Sequence, residues 1–279
     1  MPPRRGPRHH PSYGGVVDLV SRLRAAGCVF AEEEAELLAD ADDEQIARRV
    51  AGEPLEHVLG WAAFRGLRVV VAPGVFVPRH RSELLVDLAA ARVRPGAVVV
   101  DLCCGSGALG AAVAAGPLPR DRKASLLSPG DSNDAFLPPV ELHAVDLDPA
   151  AVACARRNVP GAVYEGDLDA PLPTSLRGRV DVLLASPPYV PTDEIARMPP
   201  EAREHEPRPT LDGGPDGLAL ARRIAALAPG WLAPTGALLV ECATHQGPDL
   251  AAAVRAAGLA ATVHTDDDAT TVEGRWPTR

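Results

Sequence analysis

The strongest constraint on this chain is the alternation of apolar and amphipathic segments between residues 97 and 243. Five short apolar segments are predicted strands and begin at Ala97, Glu141, Ala162, Arg179 and Gly236. Alanine-rich segments of helical periodicity separate most of them, the last one over residues 218–232. Strands that are joined through helices are parallel and buried on both faces, which explains their continuous apolar character. The pattern therefore predicts an α/β fold, a doubly wound Rossmann-like sheet with helices on both faces.

The rest of the chain divides into segments of different composition. In chain order we expect a disordered polar tail over residues 1–15, a small N-terminal helical domain over 16–60, a β-hairpin linker over 61–80 and the sheet domain over 81–279. The hairpin is expected to turn at Pro73-Gly74, which follows a β-branched run. Residues 117–139 contain five Pro and little periodicity, so we expect a mobile insertion there.

Composition narrows the class of protein. The 28 Lys and Arg residues against 37 Asp and Glu give a formal net charge of −9. Because nucleic-acid affinity depends on cationic side chains that displace counterions, this charge does not favour stable nucleic-acid binding. The five Cys include no C-x-x-C pair, and no Cys/His cluster predicts a metal site. With neither a long apolar stretch nor a secretory signal, we expect a cytoplasmic protein without a membrane partner.

The first predicted strand of the sheet ends in a loop that contains glycine. Its residues, Asp101-Leu102-Cys103-Cys104-Gly105-Ser106-Gly107, lead directly into a helix. Gly105 and Gly107 let a ligand approach the backbone closely, and the start of the helix offers unpaired N–H groups. The third Gly of the dinucleotide fingerprint is missing, so NAD is not the favoured ligand.

Acidic residues follow the next two strands. Asp146 is placed to accept hydrogen bonds from both ribose hydroxyls of a nucleoside ligand. Asp148 precedes Pro149 and fits the cap of a helix instead. Asp167 ends the third strand, where a carboxylate can accept a hydrogen bond from an adenine amino group.

The fourth strand ends in Ser186-Pro187-Pro188-Tyr189. Successive prolines lack N–H groups, so this turn presents carbonyl oxygens beside one hydroxyl and one aromatic face, a combination that suits a planar NH2 group. Asp146 and Asp167 are 21 residues apart, and Asp167 and Ser186 are 19 apart, the lengths of successive strand units. Since the carboxyl ends of parallel strands meet at one edge, these motifs together resemble an S-adenosylmethionine-dependent methyltransferase that acts on nitrogen.

Three further segments resemble the release-factor glutamine methyltransferase (PrmC/HemK) family. They are PLEHVLGWAAFRGLRVVVAPGVFVPRHRSELLV (54–86), EPRPTLDGGPDGLALARRI (206–224) and TVEGRW (271–276). The resemblance implies transfer of a methyl group from S-adenosyl-L-methionine to the side-chain amide of the Gln in the Gly-Gly-Gln loop of peptide chain release factors. It also implies that the helical domain docks this protein substrate.

The resemblance assigns roles to individual residues. The cofactor-binding residues that we predict are Asp101, Cys104, Gly105, Ser106, Gly107, Asp146, Leu147, Asp167 and Leu168, and the catalytic residues are Ser186, Pro187, Pro188 and Tyr189. By analogy with the family, the Pro187 carbonyl and the side chain at position 186 bind the amide NH2 group, and Tyr189 packs on the amide plane. The family's catalytic turn begins with Asn, whereas this one begins with Ser186, which leaves another amide or amine open as the substrate.

Two other functions stay open at this level. A Ser-Pro-Pro-Tyr turn also resembles that of cytosine-N4 DNA methyltransferases, so a nucleic-acid amino-methyltransferase, on cytosine N4 or adenine N6, is the second interpretation. The third is a non-catalytic S-adenosylmethionine-binding protein. The acidic charge and segment 206–224 favour a protein substrate. Arg79 and Glu83 either face the site or form an ordinary ion pair.

Overall fold

The structure, a computed structural model, describes residues 13–116, 140–267 and 269–278. The predicted insertion over residues 117–139 and residues 1–12 of the predicted tail lie outside the described residues. Within the described part, no helix is long and apolar enough to cross a membrane, and no group of His, Cys, Asp and Glu side chains fits a metal ion.

The chain divides into two compact units, named here the helical unit (residues 1–59) and the sheet unit (residues 60–279). The described helices of the helical unit are α1 (Tyr13–Ala25), α2 (Ala31–Leu37), α3 (Asp43–Val50) and α4 (Leu55–Leu59). Helix α1 therefore begins inside the segment that the sequence predicted as tail. The other described helices of this unit lie within the segment 16–60 that the sequence predicted as helical.

The helical unit has a core of its own. Leu23 and Leu38 are fully buried in it. Helix α3 begins with a capping box, in which the side chain of Asp42 accepts a hydrogen bond from the Gln45 N–H (2.8 Å) and the side chain of Gln45 accepts one from the Asp42 N–H (3.1 Å). These contacts satisfy two N–H groups that the helix itself leaves unpaired.

The sheet unit begins with a hairpin whose turn differs from the prediction. Strand β1 (Trp61–Phe64) pairs antiparallel with β2 (Leu67–Val70). The turn between them is Arg65-Gly66, whose φ angles are 50° and 76°. A two-residue hairpin turn requires such left-handed angles, which Pro73 cannot adopt because its ring fixes φ at a negative value. The predicted turn at Pro73-Gly74 was therefore wrong.

Seven strands form the central sheet: β3 (Val98–Leu102), β4 (Glu141–Asp146), β5 (Ala162–Glu165), β6 (Val180–Ala185), β7 (Leu232–Cys242), β8 (Ala260–Asp266) and β9 (Ala269–Arg275). Their order is β5-β4-β3-β6-β7-β9-β8. Pairs among β3 to β7 are parallel, whereas β9 runs antiparallel to β7 and to β8. The predicted α/β fold is confirmed, and β8 is a strand that the sequence did not predict.

The described α-helices of the sheet unit are α5 (Glu83–Ala90), α6 (Ala108–Ala115), α7 (Pro149–Asn158), α8 (Pro200–His205), α9 (Ala219–Leu227) and α10 (Gly247–Ala256). The predicted helix 218–232 was too long at its C-terminal end. Pro229 lacks an N–H group and cannot continue the α-helical pattern. Leu232 already pairs with Val180 as the first residue of β7.

The register of the parallel strands determines where polar groups can lie. Strand β3 is buried along its whole length, with Val98 and Val100 in one apolar cluster and Val99 in another. Leu102 at its end is level with both Val145 of β4 and Ala185 of β6. The residues that follow these strands therefore meet at one edge of the sheet.

Candidate active site

A cavity of about 550 Å³ lies at this edge of the sheet unit. The predicted site residues that form its walls are Cys104, Gly105, Ser106, Asp146, Leu147, Asp167, Leu168, Ser186, Pro187, Pro188 and Tyr189. The structure thus brings together residues from four different strand ends. Asp101 and Gly107 are the two predicted site residues that do not line the cavity.

Gly105 and Gly107, which follow β3, are surrounded differently in the structure. Gly105 has a φ of 53°, and no atom lies within 4 Å of the position that a Cβ would take. Gly107 has a φ of 79°, and its Cβ would lie 2.5 Å from Cγ2 of Val159. Gly107 is therefore required for packing against the end of α7. Its role in the close approach of a ligand stays a prediction.

Asp101 lies behind the cavity wall. Its Oδ2 accepts a hydrogen bond from the Gly110 N–H at 2.9 Å, and its Oδ1 is buried without a hydrogen-bond partner among the described residues. Burial raises the pKa of Asp101 to about 7. This carboxyl joins β3 to α6, and the predicted direct contact with a cofactor gains no support from its position.

The carboxylate of Asp146 organises the loop after β3. It accepts hydrogen bonds from the Gly105 N–H at 2.8 Å and from the Asp148 N–H at 2.9 Å. Burial raises the pKa of Asp146, and these two hydrogen bonds act in the opposite direction. Asp148 caps α7 through the Ala150 N–H at 2.8 Å, as the sequence predicted. Leu147 beside them is 68% exposed and presents an apolar side chain at the cavity wall.

Asp167 lies at the wall in an ion pair. Its Oδ2 accepts a hydrogen bond from Nη2 of Arg223 at 2.8 Å, and both side chains are about half exposed, at 52% and 55%. Leu168 is buried and has a φ of 51°, an unusual left-handed angle for a residue that is not glycine. A purine amino group bound at this wall would therefore have to share the Asp167 carboxylate with Arg223.

The turn from Ser186 to Tyr189, named here the SPPY turn, follows β6 directly. The Tyr189 hydroxyl donates to Oε1 of Glu241 at 3.3 Å. The guanidinium of Arg81 lies 5.4 Å from the centre of the Tyr189 ring, and its Nε is 3.7 Å from the same Glu241 oxygen. Burial raises the pKa of Tyr189, and the neighbouring Glu241 raises it further, so the phenol stays protonated at neutral pH. Because the hydroxyl is bound to Glu241, the ring is the part of Tyr189 offered to a ligand.

Comparisons with known proteins place this arrangement in a family. No family model matches the chain. The release factor glutamine methyltransferase of Geobacter sulfurreducens is 38% identical over 206 residues, which cover 72% of this chain and 64% of that protein, just under two thirds of its length. The one of Mycolicibacterium smegmatis is 37% identical over 246 residues, which cover 78% of this chain and 80% of that protein. The chain belongs to the release factor glutamine methyltransferase family.

One solved structure has a similar fold. A methyltransferase from Pyrococcus furiosus superposes with a TM-score of 0.51 at 15% identity, and the match covers 84% of this chain and 98% of that one. At this identity the likeness concerns the fold alone. The family resemblance and the fold class that the sequence predicted are both confirmed.

The sequence left the role of Arg79 open, and it did not predict Arg81 or Arg223 as wall residues. Arg79 lines the cavity and donates from Nη2 to both carboxylate oxygens of the buried Glu206, at 2.7 and 2.6 Å, so it faces the site and forms an ion pair as well. Glu83 does not reach the cavity and pairs with His80 at 3.0 Å. Arg81 and Arg223 also lie in the wall. Arg81 lies in segment 54–86 and Arg223 in segment 206–224. The resemblance of these two segments to the family could have identified both residues.

The buried Asp101 generates a prediction about stability. Because its pKa is raised to about 7 from the usual 3.8, the folded chain binds this proton more tightly than the unfolded chain. The resulting stabilisation is complete below the unfolded pKa and is lost as the pH rises through about 7. Asn cannot ionise, so we expect Asp101→Asn to gain free energy of unfolding relative to wild type as the pH rises, by about 1.4 kcal/mol for each unit of the pKa shift.

Urea unfolding of both proteins, followed by circular dichroism at several pH values, measures this difference. The other titrating groups are common to both proteins and cancel. A difference that is the same at every pH would contradict the raised pKa.

Proposed function

We propose that this protein methylates the side-chain amide nitrogen of a glutamine in a peptide chain release factor and uses S-adenosyl-L-methionine as the methyl donor. One observation carries the proposal. The glycine loop with Asp146 and the SPPY turn both form parts of the wall of one cavity. A nucleoside cofactor and a planar amide can therefore meet there. The names of the relatives supply the substrate class.

The cavity wall fits the proposed cofactor in chemical terms. The open space at Gly105 permits close approach of a ligand to the backbone. Asp146 keeps lone pairs for ribose hydroxyls beyond the two hydrogen bonds it accepts from N–H groups. Leu147 and Leu168 supply apolar surface for the adenine, and Asp167 supplies an acceptor for its amino group. When bound, S-adenosyl-L-methionine provides a methyl group on a positively charged sulfur, which is electrophilic.

The SPPY turn would orient the substrate amide. An amide nitrogen is a poor nucleophile because its lone pair is delocalised into the carbonyl. Among the described residues no donor reaches the carbonyl oxygen of Pro187, so it is free to accept a hydrogen bond from the amide NH2 group. The ring of Tyr189 lies in the wall and can pack on the amide plane. Together they would align the nitrogen lone pair with the methyl group, and such alignment accounts for a large part of the barrier in transfer reactions.

Ser186 supplies the remaining contact to the amide. Its hydroxyl is half-buried at the cavity wall. It can accept one hydrogen bond from the NH2 group, as the Asn carbonyl of the family does on a longer arm. The shorter side chain leaves more room between position 186 and the substrate, so the amide is bound closer to the turn or through a water molecule.

The helical unit is proposed to dock the protein substrate. It is a separate compact unit with its own core. Val29 and Phe30, between α1 and α2, are 83% and 52% exposed. Large apolar side chains at the surface are typical anchors of protein interfaces.

The first test concerns the cofactor. We expect Asp146→Ala to weaken binding of S-adenosyl-L-methionine about ten-fold or more, because charge-assisted hydrogen bonds to the ribose are lost and the glycine loop loses an anchor. Asp249→Ala is the control, since it removes an exposed carboxylate outside the cavity wall. Titration calorimetry measures both affinities. Unchanged binding in the Asp146 variant would remove this residue from the site.

The second test concerns the SPPY turn. Mass spectrometry of a Gly-Gly-Gln peptide after reaction detects addition of one methyl group. We expect Tyr189→Ala to abolish methylation, Tyr189→Phe to retain most of it because the ring stays, and Ser186→Asn to maintain or increase it. If no variant and no wild-type protein modifies the peptide, although the cofactor binds, while a DNA substrate is methylated, the nucleic-acid interpretation replaces this one.

The third test concerns docking. Replacing both Val29 and Phe30 by Ala is expected to raise KM for an intact release factor about five-fold or more, ~1 kcal/mol, because apolar contact area is lost. KM for a short Gly-Gly-Gln peptide should not change. Val263→Ala, at an exposed apolar residue of β8, is the matched control. An equal rise of KM for peptide and intact protein would contradict the docking role.

A further inference from the structure

The SPPY turn is supported from behind by the segment 211–217, named here the brace loop. The Val190 N–H donates to the Leu211 carbonyl at 3.0 Å, and the Gly213 N–H donates to the Val190 carbonyl at 2.9 Å. The Thr192 N–H donates to the Gly214 carbonyl at 3.0 Å. These backbone hydrogen bonds fix the chain just after Tyr189, but they leave the Tyr189 carbonyl itself to another donor.

That donor is Gln246, which lies between β7 and α10. Its Nε2 donates to the carbonyl of Tyr189 and to the carbonyl of Asp216, each at 2.9 Å. Its Oε1 accepts a hydrogen bond from the Ala243 N–H at 2.9 Å. The side chain is buried, with 3% of the residue exposed, and it is not part of the cavity wall. One carboxamide thus joins the SPPY turn, the brace loop and the end of β7.

The packing at this junction leaves no room for a side chain at Gly213 or Gly217. A Cβ on Gly217 would lie 2.2 Å from the Tyr189 carbonyl oxygen and 2.3 Å from Nε2 of Gln246. A Cβ on Gly213 would lie 2.7 Å from the Pro188 carbonyl oxygen. Gly213 and Gly217 are therefore required for the close approach of the brace loop backbone to the turn.

We propose that Gln246 is a positioning residue for methyl transfer, which acts through the backbone of Tyr189. This inference rests on the proposed function of the SPPY turn. The carbonyl of Tyr189 and the carbonyl of Pro187 belong to one short rigid turn, so a shift at one end moves the acceptor and the aromatic ring that orient the amide. A displacement of about 1 Å can cost roughly a hundred-fold in rate, although no contact with the substrate is lost.

Gln246→Glu tests the inference with the smallest change in shape. The carboxylate keeps an acceptor for the Ala243 N–H, but it replaces the NH2 donor by an oxygen that faces two carbonyl oxygens. We expect kcat for the Gly-Gly-Gln peptide to fall about ten-fold or more, with the Kd for S-adenosyl-L-methionine within about two-fold of wild type. His245→Ala, at the exposed neighbouring residue, is the matched control and should leave kcat unchanged.

Gly217→Ala perturbs the same junction from the other side. Its Cβ would push on the same carbonyl oxygen and the same Nε2. Because the two changes act on one contact, the double variant should lose less activity than the product of the two single losses. This second variant keeps the proposal testable if the carboxylate introduced by Gln246→Glu prevents folding, which a thermal melt of each protein reports.

Hydrogen exchange separates this inference from the proposed function. Gln246→Glu should speed amide exchange in the peptide that contains Val190 and Thr192 and should leave exchange in the glycine loop after β3 unchanged. Wild-type kcat in a folded Gln246→Glu protein, or exchange that is unchanged around Val190, would overturn the positioning role. Absence of methylation by the wild-type protein would instead contradict the proposed function, whatever the exchange result.

Discussion

The burial of both faces of the parallel sheet is the constraint on which the rest of the structure depends. Strand β3 is buried over all five of its residues, between two apolar clusters. Polar groups that bind a ligand are therefore confined to the ends of the strands. The carboxyl ends of β3, β4 and β6 are in register, so residues distant in sequence face one cavity. At this edge, the hydrogen bond from the Gly105 N–H to Asp146 joins the ends of two neighbouring strands.

This constraint also explains which features could be predicted from the sequence. Strands buried on both faces are continuous apolar runs, so β3, β4 and β6 and the motifs at their ends were predicted. The hairpin turn was missed because Arg65 adopts a left-handed φ, which residue type alone does not reveal. Asp101 and Gly107 were predicted to bind the ligand, and the sequence did not reveal that Asp101 accepts a hydrogen bond from the Gly110 N–H of α6 or that Gly107 packs against Val159.

The support of the SPPY turn was beyond prediction for a different reason. Glu241 and Gln246 reach Tyr189 from more than 50 residues away in sequence, at separations of 52 and 57 residues. Neither residue type carries a local signal for such a contact. Arg79 and Glu206 likewise form their ion pair across a separation of 127 residues. The sequence therefore predicts the groups at strand ends, whereas the structure is needed to show what fixes them in place.

The glycine loop and the SPPY turn, which both line the cavity, are fixed by different kinds of contact. The glycine loop is fixed by the hydrogen bond from the Gly105 N–H to the Asp146 carboxylate at the neighbouring strand end. The SPPY turn instead depends on Glu241 of β7 and on Gln246 from the segment before α10. The cofactor-binding residues and the brace loop both resemble those of the family, whereas Ser186 stands where the family has Asn. The proposed function is tested most directly by tandem mass spectrometry of an intact release factor after reaction with the wild-type protein and S-adenosyl-L-methionine, with DNA treated in parallel. We expect one added methyl group on the side-chain amide of the glutamine in the Gly-Gly-Gln loop and no modified base. Methylation of the DNA with an unmodified release factor would contradict it.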